Sequence, residues 1–559
     1  MAAVLTKVRK ARSLEDCRGS PGHWRLVSIL CKLAHARRGC MASAMAARGV
    51  ECETMWRTNL LELAINGGEH DLRRAAEQAA KEADEARRAA RTAAQRGWGE
   101  WVKDSLAGSA KQAHRWANAF SALPPIQPWV KEGSSLITQP LQAVEHHAAA
   151  WARKWKAHDE DNVDAAMSLV RRTRLRALDN MQAEELPEIK PDAVRRASKC
   201  FPSESATAFD GWAFGLVASL PDEALEDLGR MMQDSIENLT LPLQSLIQII
   251  ALLGKKKGGS RPIAILASYY GIIMKLLKCD VSDWDIRVGG RWDSALKGSS
   301  ALRAGVMRAL KLEVAVSQGK HCLQFLWDIE AFYDNINLEV MVPKLIEKGY
   351  PMVPLVLVLI AHKAPRCFRL ADTYSTILQG SGLGILPGCL QSNSWARGLL
   401  HNMLEDMANA IPEAPCGQHV DDLSQLVTEN SARELYTKGM AVARRVGKGL
   451  KNLELPLSSK SVLLPKGAKE AKQVAKALAK EGIHIKLEIE ADDLGLGTTA
   501  LRRRTAKKAW ARITAAGKRA ARVAALDRRT RCARQLFRTG VQPQQTWGCQ
   551  AQGASPSQV

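Results

Sequence analysis

The chain has 559 residues, enough for two to four domains with a sizeable apolar core. Its 80 Lys+Arg residues against 58 Asp+Glu give a net charge of +22, which favours a polyanionic partner, nucleic acid first. The longest apolar run, residues 352–361, is too short to span a membrane. The twelve cysteines include no Cys-x-x-Cys pair, which favours free thiols in a nuclear or cytoplasmic compartment over a secreted disulfide framework.

The first two regions of the chain carry no motif with a chemical interpretation. Residues 1–120 are predicted to be helical, rich in alanine and arginine, and of unassigned role. Their last part, from Trp98 to Phe120, has enough large apolar groups to pack against another element. Residues 121–190 are predicted to be a proline-rich linker with short helices.

The third region, residues 191–497, has the mixed pattern of an α/β domain. Helices are predicted over residues 222–239 and 338–348. Short apolar runs predict strands over residues 246–253, 263–266 and 323–327.

The last region, residues 498–559, is predicted to be a basic helical segment with a tail. Between Leu501 and Arg538 it has fourteen basic residues and a single acidic one, Asp527. So many cations would repel one another without a partner, which favours contact with nucleic-acid phosphates over a merely solvated helix face.

Two acidic motifs carry the strongest chemical signal. Apolar residues lead directly into Asp328 and, 93 residues later, into Asp421 and Asp422, as when a buried strand ends in a carboxylate. An isolated Val-Asp-Asp is usually a turn or helix cap, but two such strands side by side would bring Asp328 and Asp421 together. Close carboxylates stay ionised only when cations neutralise them. Two Mg²⁺ ions, or Mn²⁺, are the expected cations, and they clamp a phosphate for in-line attack.

Basic residues and glycines around these motifs can bind phosphate. Lys256, Lys257 and Arg261 lie in a glycine-containing turn that leads into a strand, where they can pair with a triphosphate. Taken alone, this turn is better interpreted as an exposed hairpin. Gly388 ends a glycine-rich loop before a helix predicted over residues 392–404, and it allows backbone to approach a ligand; the plainer alternative is a flexible connection.

Lys460 follows an apolar-alternating strand, Leu453 to Leu457. At that position a lysine can donate a proton to a departing pyrophosphate. Most lysines in such positions are merely solvated, so the pattern alone leaves both interpretations open.

In their order along the chain, these segments resemble the reverse transcriptase family, specifically the branch of group II intron and non-LTR retroelement enzymes. Asp328–Ile336 is similar to the family's first catalytic motif, and His419–Asp422 is similar to its Tyr-Ala-Asp-Asp box. Four shorter segments resemble the entry to the fingers, the fingertip basic motif, the Leu-x-Leu-Asn/Ser-x-x-Lys motif and the primer grip: Phe209–Trp212, Lys257–Ile263, Leu455–Ser461 and Asp493–Leu496. The resemblance covers residues 195–540.

The resemblance implies an α+β right-hand polymerase with fingers, palm and thumb, preceded by an all-α N-terminal region. Fingers and palm would occupy residues 191–497, with a palm sheet of three or four antiparallel strands, and residues 498–559 would form the thumb. The implied activity is RNA-directed DNA synthesis by two-metal nucleotidyl transfer. The implied partners are an RNA template, a DNA primer and dNTPs, with no membrane.

The resemblance also implies a role for each site residue. Asp328 and Asp421 would hold the two metal ions, with Asp422 beside them. Tyr333 would lie under the incoming sugar and exclude a 2′-hydroxyl group. The triphosphate would be bound by the basic fingertip residues, and pyrophosphate would be protonated by Lys460.

Two departures from the family pattern keep a second function open. Pro387 precedes Gly388 where the family usually has glutamine, and His419 replaces the usual tyrosine. Both changes touch substrate positioning rather than metal binding. The alternative prediction is therefore a catalytically impaired retroelement remnant that binds RNA or an RNA–DNA hybrid.

Overall fold

The computed structural model describes residues 69–106, 110–118, 130–132, 135–157, 159–181, 188–202, 205–255, 260–377, 383–502, 504, 507–528 and 530–553. Contacts divide the chain into two compact units. The smaller unit comprises Met1–Ser121 and Thr514–Gln545, and the larger unit comprises Ala122–Ile513 and Thr546–Val559. Of residues 1–120, which are predicted to be helical, the segments 1–68, 107–109 and 119–120 lie outside the described residues.

Strands and helices alternate along the larger unit, and the strands are numbered in chain order. The strands are β1 (Val130–Glu132), β2 (Ser135–Ile137), β3 (Gln248–Gly254), β4 (Ser260–Ile265), β5 (His321–Trp327), β6 (Arg366–Leu370), β7 (Thr373–Tyr374), β8 (Cys416–His419), β9 (Asp422–Glu429), β10 (Val462–Pro465), β11 (Lys486–Leu487), β12 (Ala491–Asp493) and β13 (Leu496–Thr498). The helices between Pro140 and Lys480 are Pro140–Lys154, Glu160–Met181, Pro191–Lys199, Phe214–Ala218, Asp222–Glu237, Ser268–Leu276, Lys278–Val288, Ala301–Ser317, Phe332–Asn335, Leu338–Glu347, Met352–Lys363, Ser392–Ala410, Ala432–Asn452 and Ala468–Lys480. This mixture confirms the predicted α+β class.

The central sheet has the strand order β11-β10-β5-β9-β8. All neighbours in it are antiparallel except β10 and β11, which are parallel. It has five strands, whereas the resemblance implies three or four antiparallel ones, and the two-residue edge strand β11 is the strand that pairs in parallel. The helix Ala432–Asn452 covers one face, where Gly439 lies against the side chain of the buried Leu323.

A second sheet has the order β4-β3-β6-β7, with β3 and β4 antiparallel. The helix Pro140–Lys154 packs on it and buries small residues such as Ala148 and Ala152 against Ile250 and Phe368. Residues 121–190, expected to be a proline-rich linker with short helices, thus include this helix and the 22-residue helix Glu160–Met181. Leu169 and Val170 of the second helix enter the main core.

All but one of the other expected elements are confirmed. The exception is the strand expected over residues 453–457, where the chain forms a turn and Leu457 makes an isolated bridge to Ile329. The predicted helices correspond to Asp222–Glu237, Leu338–Glu347 and Ser392–Ala410. The predicted strands correspond to β3, β4 and β5. The apolar run that begins at Met352 is a buried helix, and no described helix is long and apolar enough to cross a membrane.

The smaller unit is helical in its described part and has its own core. The helices Glu69–Leu106 and Lys111–Ala117 pack with the part of the helix Lys507–Asp527 that begins at residue 514. Trp98, Trp101 and Trp116 form an aromatic cluster, with the first two rings stacked at 4.9 Å. The late Trp residues of the N-terminal region therefore pack against the apolar stripe of the basic segment, whose Val523, Leu526 and Leu536 are buried here.

Candidate active site

Asp328 lies directly after β5 in the central sheet. Its backbone is held by the segment that precedes β10: the N–H of Asp328 donates to Ser461 Oγ (3.0 Å), and the carbonyl of Asp328 accepts from the N–H of Ser458 (2.8 Å). The Ser461 hydroxyl also donates to the same carbonyl (3.3 Å). Because Ser461 is 0% exposed, these bonds are protected from water and fix the direction in which the carboxylate leaves the sheet.

Asp421 lies in the tight turn between β8 and β9. β9 pairs with β5, with Leu423 opposite Trp327, so the turn lies beside Asp328. The two acidic motifs predict this proximity, but the strand that leads into Asp421, β8, pairs with β9 and not with β5. His419 pairs with Asp422 across the turn, and Val420 has φ 60°. A β-branched residue in this left-handed region is strained, and strained backbone of this kind is concentrated at functional sites.

The carboxyl groups of this turn interact electrostatically with Asp328 and with one another. Burial raises the pKa of Asp421, the negative charge of Asp328 raises it further, and the charges of Arg261 and His419 oppose both effects. Burial and the charge of Asp421 raise the pKa of Asp422 to about 6, with Arg308 acting in the opposite direction. Burial and like charge therefore both disfavour the ionised forms of Asp421 and Asp422, and a bound cation would oppose both effects.

A pocket of about 690 Å³ opens beside these groups. Asp328, Asp422 and Lys460 line one wall, while the hairpin of β12 and β13, together with Lys507 and Lys508, contributes another. Asp421 does not line this pocket. Asp421, in the turn, is instead close enough to Asp328 and Arg261 for their charges to act on its carboxyl group.

The hairpin of β12 and β13 is fixed by groups that the sequence motifs do not include. Asp493, 5% exposed, accepts from Arg308 Nη1 (2.7 Å). The helix that carries Arg308 approaches the hairpin closely, since a Cβ at Gly305 would lie 2.8 Å from Leu496. Sequence reasoning missed Arg308 because its partner lies 185 residues away, and no local pattern indicates such a pair.

The glycine-rich loop reaches the second sheet. The N–H of Ala264 in β4 donates to the carbonyl of Pro387 (3.0 Å), and a Cβ at Gly388 would lie 3.0 Å from the carbonyl oxygen of Ala264. Gly388 also has φ 106°, where a side chain is strained. A proline at position 387 is compatible with the hydrogen bond to Ala264, because Pro387 contributes its carbonyl and the N–H that proline lacks is not needed.

Tyr333 belongs to the short helix Phe332–Asn335, which follows Asp328. Its hydroxyl donates to Asn393 Oδ1 (2.9 Å), and burial together with the charge of Asp421 raises its pKa. Tyr333 is therefore a neutral, half-buried phenol near the turn that carries Asp421.

The remaining sequence candidates divide between two outcomes. Lys256 and Lys257 lie outside the described residues, whereas Arg261 is exposed on β4 and acts electrostatically on Asp421.

Asp210, in the segment that resembles the entry to the fingers, accepts from the N–H of Tyr269 (3.3 Å) at the start of the helix Ser268–Leu276. That segment thus orders a helix of the larger unit.

The metal-binding capacity of the site rests on few protein ligands. Among the residues with described positions, no three His, Cys, Asp or Glu side chains are grouped as metal ligands. Asp328 and Asp421 nevertheless fit Mg²⁺, which is commonly held by one or two carboxylates while water and substrate phosphates supply its other ligands. Their hard oxygen donors and mutual repulsion match that chemistry.

Comparison with protein-family models and with curated proteins finds no family and no relative that matches the chain.

Proposed function

We propose that the chain is an RNA-directed DNA polymerase of a retroelement that adds dNTPs to a primer 3′-hydroxyl by two-metal nucleotidyl transfer. The observation that carries the proposal is the pairing of β5 with β9, which brings Asp328 beside the strained turn of Asp421. The pairing joins two motifs that resemble the reverse transcriptase family in sequence, order and spacing. The proposed architecture is the family's right hand, with the central sheet as palm and the second sheet in the fingers.

The pocket supports this chemistry because carboxylates and a lysine side chain line it together. Asp328 and Lys460 line the same pocket, so a carboxylate that binds a metal and a cation that can protonate a leaving group face one space. Asp328 and Asp421 would hold the Mg²⁺ ions, which when bound supply charge stabilisation for the attacking and leaving oxygens. Arg261, on the Asp421 side, would pair with the triphosphate.

The choice of nucleotide would fall to Tyr333. Its hydrogen bond to Asn393 fixes the ring, and a fixed ring beside the turn of Asp421 would exclude a ribose 2′-hydroxyl by its bulk. Since the raised pKa keeps the phenol neutral, Tyr333 would act by shape rather than by charge.

Template and primer would be bound through the basic residues after Leu501. Lys518, Arg531 and Arg538 are exposed, and their charges are available to phosphates. Residues from 514 onward also bury Val523, Leu526 and Leu536 in the core of the smaller unit, so one segment serves both stability and charge.

A catalytically impaired RNA binder is the second candidate, and the glycine-rich loop carries it. The first glutamine after Gly388, Gln391, is 3% exposed and accepts from the Tyr350 hydroxyl (3.3 Å). A glutamine committed to the core in this way does not replace the one missing before Gly388. A polymerase with this loop would bind its substrates and position the templating base poorly.

Primer extension separates the two candidates. The purified full chain is incubated with poly(rA)/oligo(dT), dTTP and Mg²⁺ or Mn²⁺, and its affinity for the same hybrid is measured in parallel by fluorescence anisotropy. Metal-dependent extension is the expected result. Tight hybrid binding without extension in either metal would refute the polymerase and favour the silent binder, and absence of both would refute both candidates.

A further inference from the structure

Trp155 links a part of the chain outside the resemblance to the candidate active site. It directly follows the helix Pro140–Lys154, is 2% exposed, and lies far upstream of the first acidic motif. Its indole Nε1 donates to Asp334 Oδ1 (3.0 Å), a contact that spans 179 residues of sequence. Asp334 is itself 8% exposed and directly follows Tyr333.

The indole ring of Trp155 is held in place on its faces. The Arg366 guanidinium lies 4.2 Å from the centre of the ring, and the Phe368 ring stacks at 5.7 Å with an interplanar angle of 23°. Arg366 is 1% exposed and also donates to the carbonyl of His362 (3.1 Å). Since these neighbours fix the ring, its single N–H has a fixed direction, toward Asp334.

The helix that receives this hydrogen bond cannot hold its shape alone. Phe332–Asn335 is four residues long, and Ala331 before it has φ 42° and ψ 52°, a left-handed conformation that is unfavourable for alanine. A single helical turn is unstable without tertiary contacts. Beside the bond from the Tyr333 hydroxyl to Asn393, the contacts include the bond from Trp155 and two backbone bonds, from Gly384 to the Ile336 carbonyl (2.7 Å) and from Ile385 to the Tyr333 carbonyl (2.8 Å).

The same indole also contacts the loop that supplies these backbone bonds. A Cβ at Gly384 would lie 3.3 Å from Trp155 Cδ1 and 3.1 Å from the carbonyl oxygen of Asp334. The loop, the helical turn and the indole are thus packed without space between them. A displacement of Trp155 therefore reaches both the turn that carries Tyr333 and the loop whose backbone bonds to it.

We propose that Trp155 is a positioning residue for Tyr333, acting through Asp334 and the turn Phe332–Asn335. The helix Pro140–Lys154 is then a working part of the site that selects the sugar of the incoming nucleotide. The sugar-selecting role rests on the proposed function, whereas the positioning of the turn does not.

Two variants with the same substitution test the proposal in the full chain. Trp155→Phe keeps an aromatic ring against Arg366 and Phe368 but removes the N–H that Asp334 accepts. Trp151→Phe is the matched control, because Trp151 is on the same helix with its ring 5.4 Å from that of Trp155. Asp334→Asn keeps an acceptor for the indole, and Asp334→Leu removes it.

Hydrogen exchange measured by mass spectrometry reports the position of the turn without requiring activity. In Trp155→Phe and Asp334→Leu, we expect exchange at the amides of residues 334, 335, 384 and 385 to accelerate on the order of tenfold, the effect of losing one buried hydrogen bond. In Trp151→Phe and Asp334→Asn it should stay near the wild-type rate. Unchanged exchange in Trp155→Phe would overturn the proposal.

The ratio of rNTP to dNTP incorporation tests the second step. We expect Trp155→Phe to extend primers and to raise this ratio, while Trp151→Phe leaves it unchanged. Accelerated exchange with an unchanged ratio would refute the link to sugar selection. A wild-type chain that extends no primer would refute the proposed polymerase, and hydrogen exchange would still decide whether Trp155 positions the turn.

Discussion

Replacing Ser461 with alanine tests how Asp328 is held in place. The substitution removes the oxygen that accepts from the Asp328 N–H at 3.0 Å and donates to the Asp328 carbonyl at 3.3 Å. Ser461 is fully buried, so water does not replace the lost partner. An orphaned buried donor costs about 1–3 kcal/mol. The carbonyl of Asp328 keeps its bond from the Ser458 N–H, which limits the loss to this range.

Urea denaturation and primer extension measure the two consequences of Ser461→Ala. We expect the free energy of unfolding to fall by about 1–3 kcal/mol and extension to fall more than the residual folded fraction explains, since Asp328 loses its fixed direction. The control is Ser459→Ala, because Ser459 is exposed and its loss should change stability by less than about 0.5 kcal/mol. Equal effects of the two substitutions would refute the clamp on Asp328.

Three other perturbations have defined outcomes. The pKa of Asp422 is about 6 in the folded chain, against an ordinary 3.8, so the folded state loses stability as the pH rises through about 6. Without metal, Asp422→Asn should therefore raise the melting temperature at about pH 8 and leave it unchanged below about pH 4. Equal shifts of the melting temperature at both pH values would contradict this. Gly388→Ala should lower the melting temperature because of its φ of 106° and the nearby Ala264 oxygen, and an unchanged value would contradict the close approach of the two backbones. A triple variant should bind the hybrid with a weaker salt dependence: Lys518, Arg531 and Arg538 all changed to glutamine. The slope of log affinity against log salt concentration should become shallower by up to roughly 0.9 for each phosphate that is no longer neutralised, and an unchanged slope would refute their role.

The sequence predicts the elements of the site better than their mutual support. β5 and the helix Ser392–Ala410 follow from local apolar runs and flanking residues, because β5 is buried along nearly its whole length and a continuous apolar run marks such a strand. The proximity of Asp328 and Asp421 is predicted from two strands side by side that both end in carboxylates, whereas β5 pairs with β9, the strand that begins after Asp421, and β8, which leads into Asp421, lies beyond β9.

Long-range support leaves no comparable pattern in the sequence. The Trp155–Asp334 and Arg308–Asp493 hydrogen bonds join residues 179 and 185 positions apart, and each partner in isolation is an ordinary tryptophan, arginine or aspartate. The left-handed conformation of Val420 is likewise unpredictable from its type, since β-branched residues avoid it and only the surrounding hairpin imposes it.

The central claim is that Asp328 and Asp421 together bind the catalytic metal ions. Its most direct test is Mg²⁺-dependent extension of oligo(dT) on poly(rA) by the wild type, Asp328→Ala, Asp421→Ala and a control, Glu330→Ala, whose exposed side chain lies two residues from Asp328. Circular dichroism should show that all four chains are folded. We predict extension by the wild type and Glu330→Ala, and none by either aspartate variant. Robust extension by Asp328→Ala or Asp421→Ala would contradict the account.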